Sequence, residues 1–342
     1  MNKFFPCLLL SLALAATIRA YANEAPATSP PFHDPDNAPK SAQAFDDPDT
    51  RFRFVIHSDI TGSEREGVFE VAIEQINLLR PEFIISVGDL IAGTDNRASV
   101  DQQWDRYARR VGKAKAPVFY VGGNHDLLGV AMREAWEERH GPRYYHFVYK
   151  DALFLVLDTE DYAPERLAQI AQMRADAYAV AESDGWDAFA ETPYALLPES
   201  ATGVISVQQS EFFQDVLTQY PDVRWTFLFM HKAPWLSDSP TPFNALEVAL
   251  ADRSYTVFHG HKHAYQHQQR QGADYIQLAT TGGVFLPANG RSMDQLVLVT
   301  VDEDGIDIAN LLMEGILDKT GNLPLNGNQL CFEGTRCPGP DK

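Results

Sequence analysis

The segment at residues 83–89 reads FIISVGD, five mostly apolar residues followed by a glycine and an aspartate. A continuous apolar run of this length is typical of a strand that is buried on both faces of a sheet. Similar runs occur at 52–56 and 117–121, and segments with the spacing of amphipathic helices, 66–79 and 98–114, lie between them. This alternation predicts an α/β protein whose strands are covered by helices.

The rest of the chain continues the pattern with one interruption. Two further strands are predicted at 144–149 and 152–157, in the style of a hairpin. The acidic stretch at 160–203 shows no regular period, so we predict an irregular insertion that could serve as a lid. Beyond it the core resumes and continues to residue 312. The predicted elements there are helices at 207–218 and 244–251 and strands at 225–230, 255–258, 275–278, 296–301 and 306–312.

Five of the predicted strands are followed directly by residues whose side chains commonly bind metals. The segments are His57-Ser58-Asp59, Gly88-Asp89, Gly123-Asn124-His125-Asp126, His231 and His259-Gly260-His261-Lys262-His263. Each segment alone is better explained as a helix cap, a turn or a satisfied polar group. Open α/β sheets, however, bind ligands beyond the carboxyl ends of their strands. The joint occurrence of carboxylate, amide and imidazole groups at five such ends therefore predicts a metal centre.

This ordered set of motifs resembles that of the calcineurin-like metallophosphoesterases. The resemblance spans roughly residues 52–313, and its Gly-Asn-His-Asp and Gly-His-x-His motifs are specific when they occur together. It implies a four-layer α/β/β/α sandwich with two mixed β-sheets. It also implies hydrolysis of phosphoric esters, in which a metal-bound hydroxide at a two-metal centre attacks phosphorus.

The resemblance assigns a role to each motif residue. The first metal ion would be held by Asp59, Asp89 and His263, and the second by Asp89, Asn124, His231 and His261. Asp89 would bridge the two ions, since its carboxylate has two oxygens. His125 would lie beside the leaving group as electrostatic stabiliser or general acid, oriented by Asp126. Mixed oxygen and nitrogen ligands favour Mn, Fe or Zn, as divalent or trivalent ions, over Ca.

The chain departs from the family pattern at the first motif. Most members have Asp-x-His there, whereas this chain has Asp59-Ile60-Thr61. The purple acid phosphatase branch also lacks that histidine but has a tyrosine where this chain has Ala92. The first ion is thus left with three recognised ligands. Thr61 could add a weak oxygen, and His57 could either bind the ion or, as we favour, hydrogen-bond to Asp59.

The N-terminal fifty residues are predicted to lie outside the fold. Residues 1–22 have the basic start, apolar run and small-x-small site of a signal peptide, with an uncleaved anchor as the alternative. Residues 23–50 are rich in Pro, Ala, Ser and Asp and are predicted to be a disordered linker. We therefore expect a periplasmic or secreted protein, with no membrane span after signal cleavage.

The catalytic domain is predicted at 51–315, followed by a C-terminal tail at 316–342. The tail contains Cys331 and Cys337. In an oxidising compartment two nearby cysteines predict a disulfide, and a zinc site made from two cysteines alone is the weaker alternative.

Acidic residues outnumber basic ones by 47 to 28, which gives a formal net charge of −19. Such a surface does not suit nucleic acid, and the acidic insertion argues against long polyanionic substrates. The leading prediction is an exported hydrolase of small phosphomonoesters or phosphodiesters. The alternative is a catalytically weak binding or scaffold protein that retains the fold. The oligomeric state is not predicted.

Overall fold

The computed structural model describes residues 50–337. Within that range the chain forms eleven strands and eight α-helices. The strands are β1 (Phe52–His57), β2 (Phe83–Ser86), β3 (Val118–Phe119), β4 (Tyr145–Tyr149), β5 (Ala152–Val156), β6 (Trp225–Phe229), β7 (Tyr255–His259), β8 (Gln266–Arg270), β9 (Ala273–Gln277), β10 (Gln295–Val301) and β11 (Ile306–Leu312). The helices are α1 (Val68–Leu79), α2 (Arg97–Val111), α3 (Asn124–Leu127), α4 (Val130–His140), α5 (Pro164–Asp184), α6 (Trp186–Phe189), α7 (Val207–Gln219) and α8 (Pro242–Ala249).

The strands form two mixed sheets. The first has the order β11-β10-β1-β2-β3, and the second has the order β4-β5-β6-β7-β9-β8. In the first sheet β1 and β2 run parallel, with Ile56 opposite Ile85. In the second sheet β6 and β7 run parallel, with Phe229 opposite Phe258. Because parallel neighbours end at the same edge, the segments after β1 and β2, and those after β6 and β7, leave their sheets side by side.

Phenylalanine side chains fill the space between the two sheets. Phe54 stacks on Phe83 within the first sheet, with ring centroids 5.1 Å apart. It meets Phe154 and Phe227 of the second sheet edge-on, at 5.4 and 5.2 Å. Two further apolar clusters cover the outer faces, one around α1 and α2 and the other around α7 and α8. The layer order is helix, sheet, sheet, helix, which confirms the predicted four-layer sandwich.

The segment at 160–203 is more regular than predicted. It contains α5, a helix of 21 residues, and the short helix α6. Pro164 is the first residue of α5. The amide at this position has no partner within the helix, so proline costs no helical hydrogen bond there. The buried residues of α5 are Leu167, Ile170, Arg174 and Ala177. These positions follow the helical period, but the arginine interrupts the apolar stripe. The prediction of an irregular insertion is therefore wrong.

The C-terminal segment up to residue 337 packs against the domain. Phe332 is 2% exposed and belongs to the apolar cluster that surrounds α1. Its carbonyl accepts a hydrogen bond of 2.8 Å from the amide of Asp294. Cys331 and Cys337 are disulfide-bonded, with their Cα atoms 5.6 Å apart. The segment that was predicted to be a tail thus contributes to the core in its described part.

The predicted signal peptide at 1–22 lies outside the described residues, as does the predicted linker at 23–50 apart from its last residue. Among residues 50–337, no helix is long and apolar enough to cross a membrane.

Candidate metal centre

The segments that follow β1, β2, β3, β6 and β7 bring all six predicted metal ligands together. Within the described part of the chain, two groups of three side chains place their ligand atoms within 4.8 Å of one another. The groups are Asp59, Asp89 and His263, and Asp89, His231 and His261. Asn124 adjoins the second group, with its Oδ1 3.1 Å from His231 Nε2. The grouping matches the division into two ion sites that the resemblance implied.

Asp89 is the residue that the two groups share. Its side chain is buried, and its Oδ2 lies 3.2 Å from His231 Nε2. Its Oδ1 accepts a hydrogen bond of 2.9 Å from the amide of His125. One carboxylate shared between two sets of ligands is the arrangement by which proteins hold a pair of ions. The donor set of two carboxylates, three imidazoles and one amide suits Mn, Fe or Zn.

Each of the three imidazoles has one ring nitrogen engaged by a backbone carbonyl. His231 Nδ1 lies 2.8 Å from Val87 O, and His263 Nδ1 lies 2.6 Å from Val284 O. His261 uses its other nitrogen, Nε2, at 2.8 Å from Ser200 O. A ring N–H that donates to a carbonyl fixes the tautomer and leaves the lone pair on the other nitrogen. The three rings are therefore prepared to bind cations, so the residues fit the metals that the family implies.

The backbone at the centre is strained and has no room for added side chains. Asp89, His261 and His263 have φ angles of 57°, 76° and 51°. A residue other than glycine in this left-handed region costs on the order of 1–2 kcal/mol. A Cβ added at Gly260 would lie 2.5 Å from Asp59 Oδ2, and one at Gly123 would overlap Asp89 Oδ1. Strain of this kind concentrates at functional sites, where the surrounding structure holds it in place.

Asp59 is held by its neighbour Ser58 and not by His57, whose ring faces away from it. Ser58 Oγ donates a hydrogen bond of 2.5 Å to Asp59 Oδ2. The His57 ring packs against Phe69 of α1, with ring centroids 5.4 Å apart, and burial lowers its pKa to about 4. The favoured hydrogen bond between His57 and Asp59 is therefore wrong. Thr61 is buried, and its amide donates to Asp89 O at 3.3 Å.

Asp126 holds the backbone of the site and does not orient the His125 ring as expected. Its two carboxylate oxygens accept hydrogen bonds from four backbone amides at 2.8 to 3.1 Å. The donors are Asp89, Leu90, Ile91 and Gly123. The His125 ring is held instead by the carbonyl of Ala92, which lies 2.7 Å from Nδ1. The prediction that Asp126 pairs with the imidazole is therefore wrong. Asp126 instead links the loops after β2 and β3 through their backbone amides, an arrangement called here the interlock of the two loops.

Two residues of the insertion reach the centre and were not identified from the sequence. The Ser200 carbonyl orients His261, and a backbone group has no side-chain signature. Arg174 of α5 places Nη2 2.9 Å from His125 Nδ1. A charged residue at an inward position of a helix is a signal that sequence reasoning could have used. The insertion thus contributes two contacts to the site, and its predicted role as a lid stays a prediction.

The charges of the ligands influence one another strongly. Burial lowers the pKa of His231, but the Asp89 carboxylate outweighs this effect and raises it to about 9. Asp59 likewise raises the pKa of His263 against the effect of burial. Burial would raise the pKa of Asp89, but His231 and His125 hold it well below its usual value. The carboxylates of Asp89 and Asp59 thus stabilise a proton on His231 and His263, as they would stabilise bound cations.

Comparison with known proteins assigns this site to a family. The sequence profile of the calcineurin-like phosphoesterases matches residues 52–265, which include all five ligand-bearing segments and all six ligands. The chain belongs to the calcineurin-like phosphoesterase family. Its class of reaction is the hydrolysis of phosphoric ester bonds. A search of curated proteins gave no sequence match for this phosphoesterase.

Solved structures share the fold at low sequence identity. A dimetal phosphatase from Danio rerio is 16% identical, with a TM-score of 0.56 over 77% of this chain and 96% of that one. GAP50, the anchor in the inner membrane complex of Plasmodium, is 14% identical, with a TM-score of 0.51 over 80% of this chain and 87% of that one. At these identities the likeness concerns the fold alone.

The substitution Asp89→Asn should remove both metal ions together. It replaces a shared charged oxygen donor by a neutral amide, and each of the two ligand groups contains Asp89. We expect the metal content of this variant to fall towards zero after dialysis against a weak chelator, whereas His263→Ala should lose one ion. His267→Ala, at an exposed position outside the centre, is the control and should match wild type. Retention of one ion by Asp89→Asn would show that the carboxylate is not shared.

Metal affinity should rise with pH between 6.5 and 8.5. In the metal-free protein His231, with a pKa of about 9, is protonated over this range, so a bound ion must displace that proton. One displaced proton corresponds to about a tenfold gain in affinity per pH unit. Competition with a chelator at several pH values measures the slope. An affinity that does not change over the range would contradict the raised pKa.

Proposed function

We propose that this phosphoesterase hydrolyses small phosphomonoesters, with phosphodiesters as poorer substrates, at a centre of two metal ions. The observation that supports this proposal most is that Asp89 belongs to two ligand groups, and its Oδ1 also accepts a hydrogen bond from the backbone amide of His125. Two ions, when bound, would neutralise the charge on the phosphoryl group and acidify a water molecule. Water is the nucleophile in this scheme, so no side-chain nucleophile is needed. The sequence also lacks the Gly-x-Ser-x-Gly motif of serine hydrolases.

The residues of the chain would divide the work as follows. Asp59, Asn124, His231, His261 and His263 would hold the ions, and Asp89 would set their separation. Ser58 and the Ser200 carbonyl would keep Asp59 and His261 in place. Each of these contacts joins a ligand to a group that is itself fixed by the fold, which preserves the geometry during turnover.

His125 would assist the leaving group. With Nδ1 at the Ala92 carbonyl, Nε2 is the ring nitrogen that can reach a leaving oxygen. Burial and the nearby Arg174 cation lower the pKa of His125 to about 4. An incoming phosphoryl anion opposes that shift, so the ring would gain a proton, or share one, only when substrate is present.

Export to an oxidising compartment is part of the proposal. The disulfide between Cys331 and Cys337 is the structural support for it, since such bonds persist outside the reducing cytosol. The net negative charge agrees with a small ester as substrate and not with a long polyanion.

A catalytically weak scaffold is the second candidate function. The absence of a histidine two residues after Asp59 favours it, because the first ion would have three recognised ligands. The intact second ligand group and the anchored His125 ring oppose it, since a scaffold has no use for either. The two candidates differ in whether a protein that holds two ions also turns over an ester.

Hydrolysis of p-nitrophenyl phosphate and bis-p-nitrophenyl phosphate, with and without Mn, tests the proposal. Wild type should hydrolyse the monoester faster, and only with metal. His125→Ala should keep both ions yet lose about 10²–10⁴-fold in kcat, the usual share of proton-transfer assistance. His267→Ala again serves as the control. A wild-type protein that binds two ions but hydrolyses neither ester would instead favour the scaffold.

A further inference from the structure

Arg174 is a buried cation beside the metal centre. It lies near the middle of α5 and is 9% exposed, on the face of the helix that is otherwise apolar. Its Nη2 is 2.9 Å from His125 Nδ1, and its guanidinium lies 5.1 Å from the centroid of the Tyr178 ring. Its buried Nε has no hydrogen-bond partner. The guanidinium therefore has one buried donor, Nε, without a partner, and it lies against the residue that would assist the leaving group.

No carboxylate pairs with Arg174 among residues 50–337, where its contacts with His125 and Tyr178 are to uncharged groups. Arg110 shows the usual alternative: it is 8% exposed and forms ion pairs with Glu64 at 2.5 Å and Glu70 at 2.7 Å. Asp89 acts on Arg174 through its charge, but no ion pair forms between them. A buried charge without a partner is costly, so natural proteins rarely keep one without a use. A bound anion would supply such a partner.

We infer that Arg174 is a substrate-binding residue, whose guanidinium contacts a nonbridging oxygen of the phosphoryl group and makes the site selective for phosphomonoesters. The planar guanidinium offers paired donors that match phosphate oxygens, and its charge is permanent. Nη2 lies at Nδ1 of the His125 ring, on the edge next to the Ala92 carbonyl, whereas Nε2 of the same ring is the nitrogen that would reach the leaving oxygen. The guanidinium would therefore be separated from the leaving group by the width of one imidazole and would bind the adjoining phosphoryl group. This inference rests on the proposed function, because it names the anion that the proposed reaction consumes.

The selectivity follows from the charges of the two ester classes. A phosphomonoester has three nonbridging oxygens and carries about two negative charges near neutral pH, because its second pKa is about 6. A phosphodiester has two nonbridging oxygens and one negative charge. An additional cation therefore stabilises a bound monoester more than a bound diester. The third oxygen gives the guanidinium an acceptor that a diester does not have.

The variants Arg174→Gln and Arg174→Lys test the inference, with Arg109→Gln as the control. Arg109 is exposed on α2, outside the centre, and its loss changes the net charge equally. For each protein the metal content is measured first. The catalytic efficiency kcat/KM is then determined with p-nitrophenyl phosphate and with bis-p-nitrophenyl phosphate. Calorimetry gives the Kd of inorganic phosphate independently of turnover.

Arg174→Gln should lower the kcat/KM for the monoester and the affinity for phosphate by about 10–100-fold, the effect of losing a charge-assisted hydrogen bond. The kcat/KM for the diester should change by less than about threefold, since the guanidinium has no third oxygen to bind there. Arg174→Lys should recover part of the loss because it keeps the charge without the paired donors. The control and the metal content should remain as in wild type.

Equal losses on both esters with unchanged affinity for phosphate would overturn the inference, since Arg174 would then act only by positioning His125. If wild type hydrolyses neither ester, the proposed function fails, and calorimetry still decides this point. Weaker phosphate binding by Arg174→Gln would then support the anion site, and equal binding would overturn it. If Arg174→Gln does not fold, Arg174→Lys takes its place. Its kcat/KM should then fall more for the monoester than for the diester, and equal falls would contradict the inference.

Discussion

The buried carboxylate of Asp126 is the constraint on which the catalytic geometry depends. The sheet places the ends of β2 and β3 side by side. Asp126 joins the two loops that follow by accepting hydrogen bonds from backbone amides of both. Those segments carry Asp89, Asn124 and His125. The left-handed backbone of Asp89 can persist because its own amide is one of the donors. The cost of the strained conformation is thus offset by hydrogen bonds in a site sheltered from water.

The charge of Asp126 links this scaffold to the ions. Burial, and then the neighbouring Asp89 carboxylate, raise the pKa of Asp126 to about 7. Cations next to Asp89 would reduce that repulsion and favour the ionised form, which accepts amide hydrogens more strongly. Metal binding and the interlock of the two loops would therefore stabilise each other.

The insertion is tied to the same centre by a buried ion pair. Lys232, which follows the ligand His231, lies 2.9 Å from Glu160 Oε1 at the start of the insertion. Its Nζ also donates to the Glu199 carbonyl at 2.9 Å. Ser200, which follows Glu199 in the chain, supplies the carbonyl that orients His261. The segment that carries Arg174 is thereby anchored at both of its ends to the second ligand group, so the proposed substrate-binding residue and the candidate metal ligands share one support.

How far the sequence predicts this protein depends on which atoms carry the information. The strands and the six ligands were predictable because apolar runs and side-chain types are written in the sequence. Orientation by backbone groups, as with Ser200 or Ala92, has no such signature. The edge strand β8 reads QHQQR and lacks an apolar pattern, since polar side chains suit a sheet edge. In α5 the buried Arg174 interrupts the apolar stripe of Leu167, Ile170 and Ala177, so the helical period was harder to recognise in the sequence.

The central claim is that Asp89 holds two ions at once. Anomalous diffraction from crystals grown with Mn measures this directly. The account predicts two Mn peaks at full occupancy, with Asp89 bound to both, Asp59 and His263 on one side, and Asn124, His231 and His261 on the other. A single peak, or two peaks of which only one contacts Asp89, would contradict it.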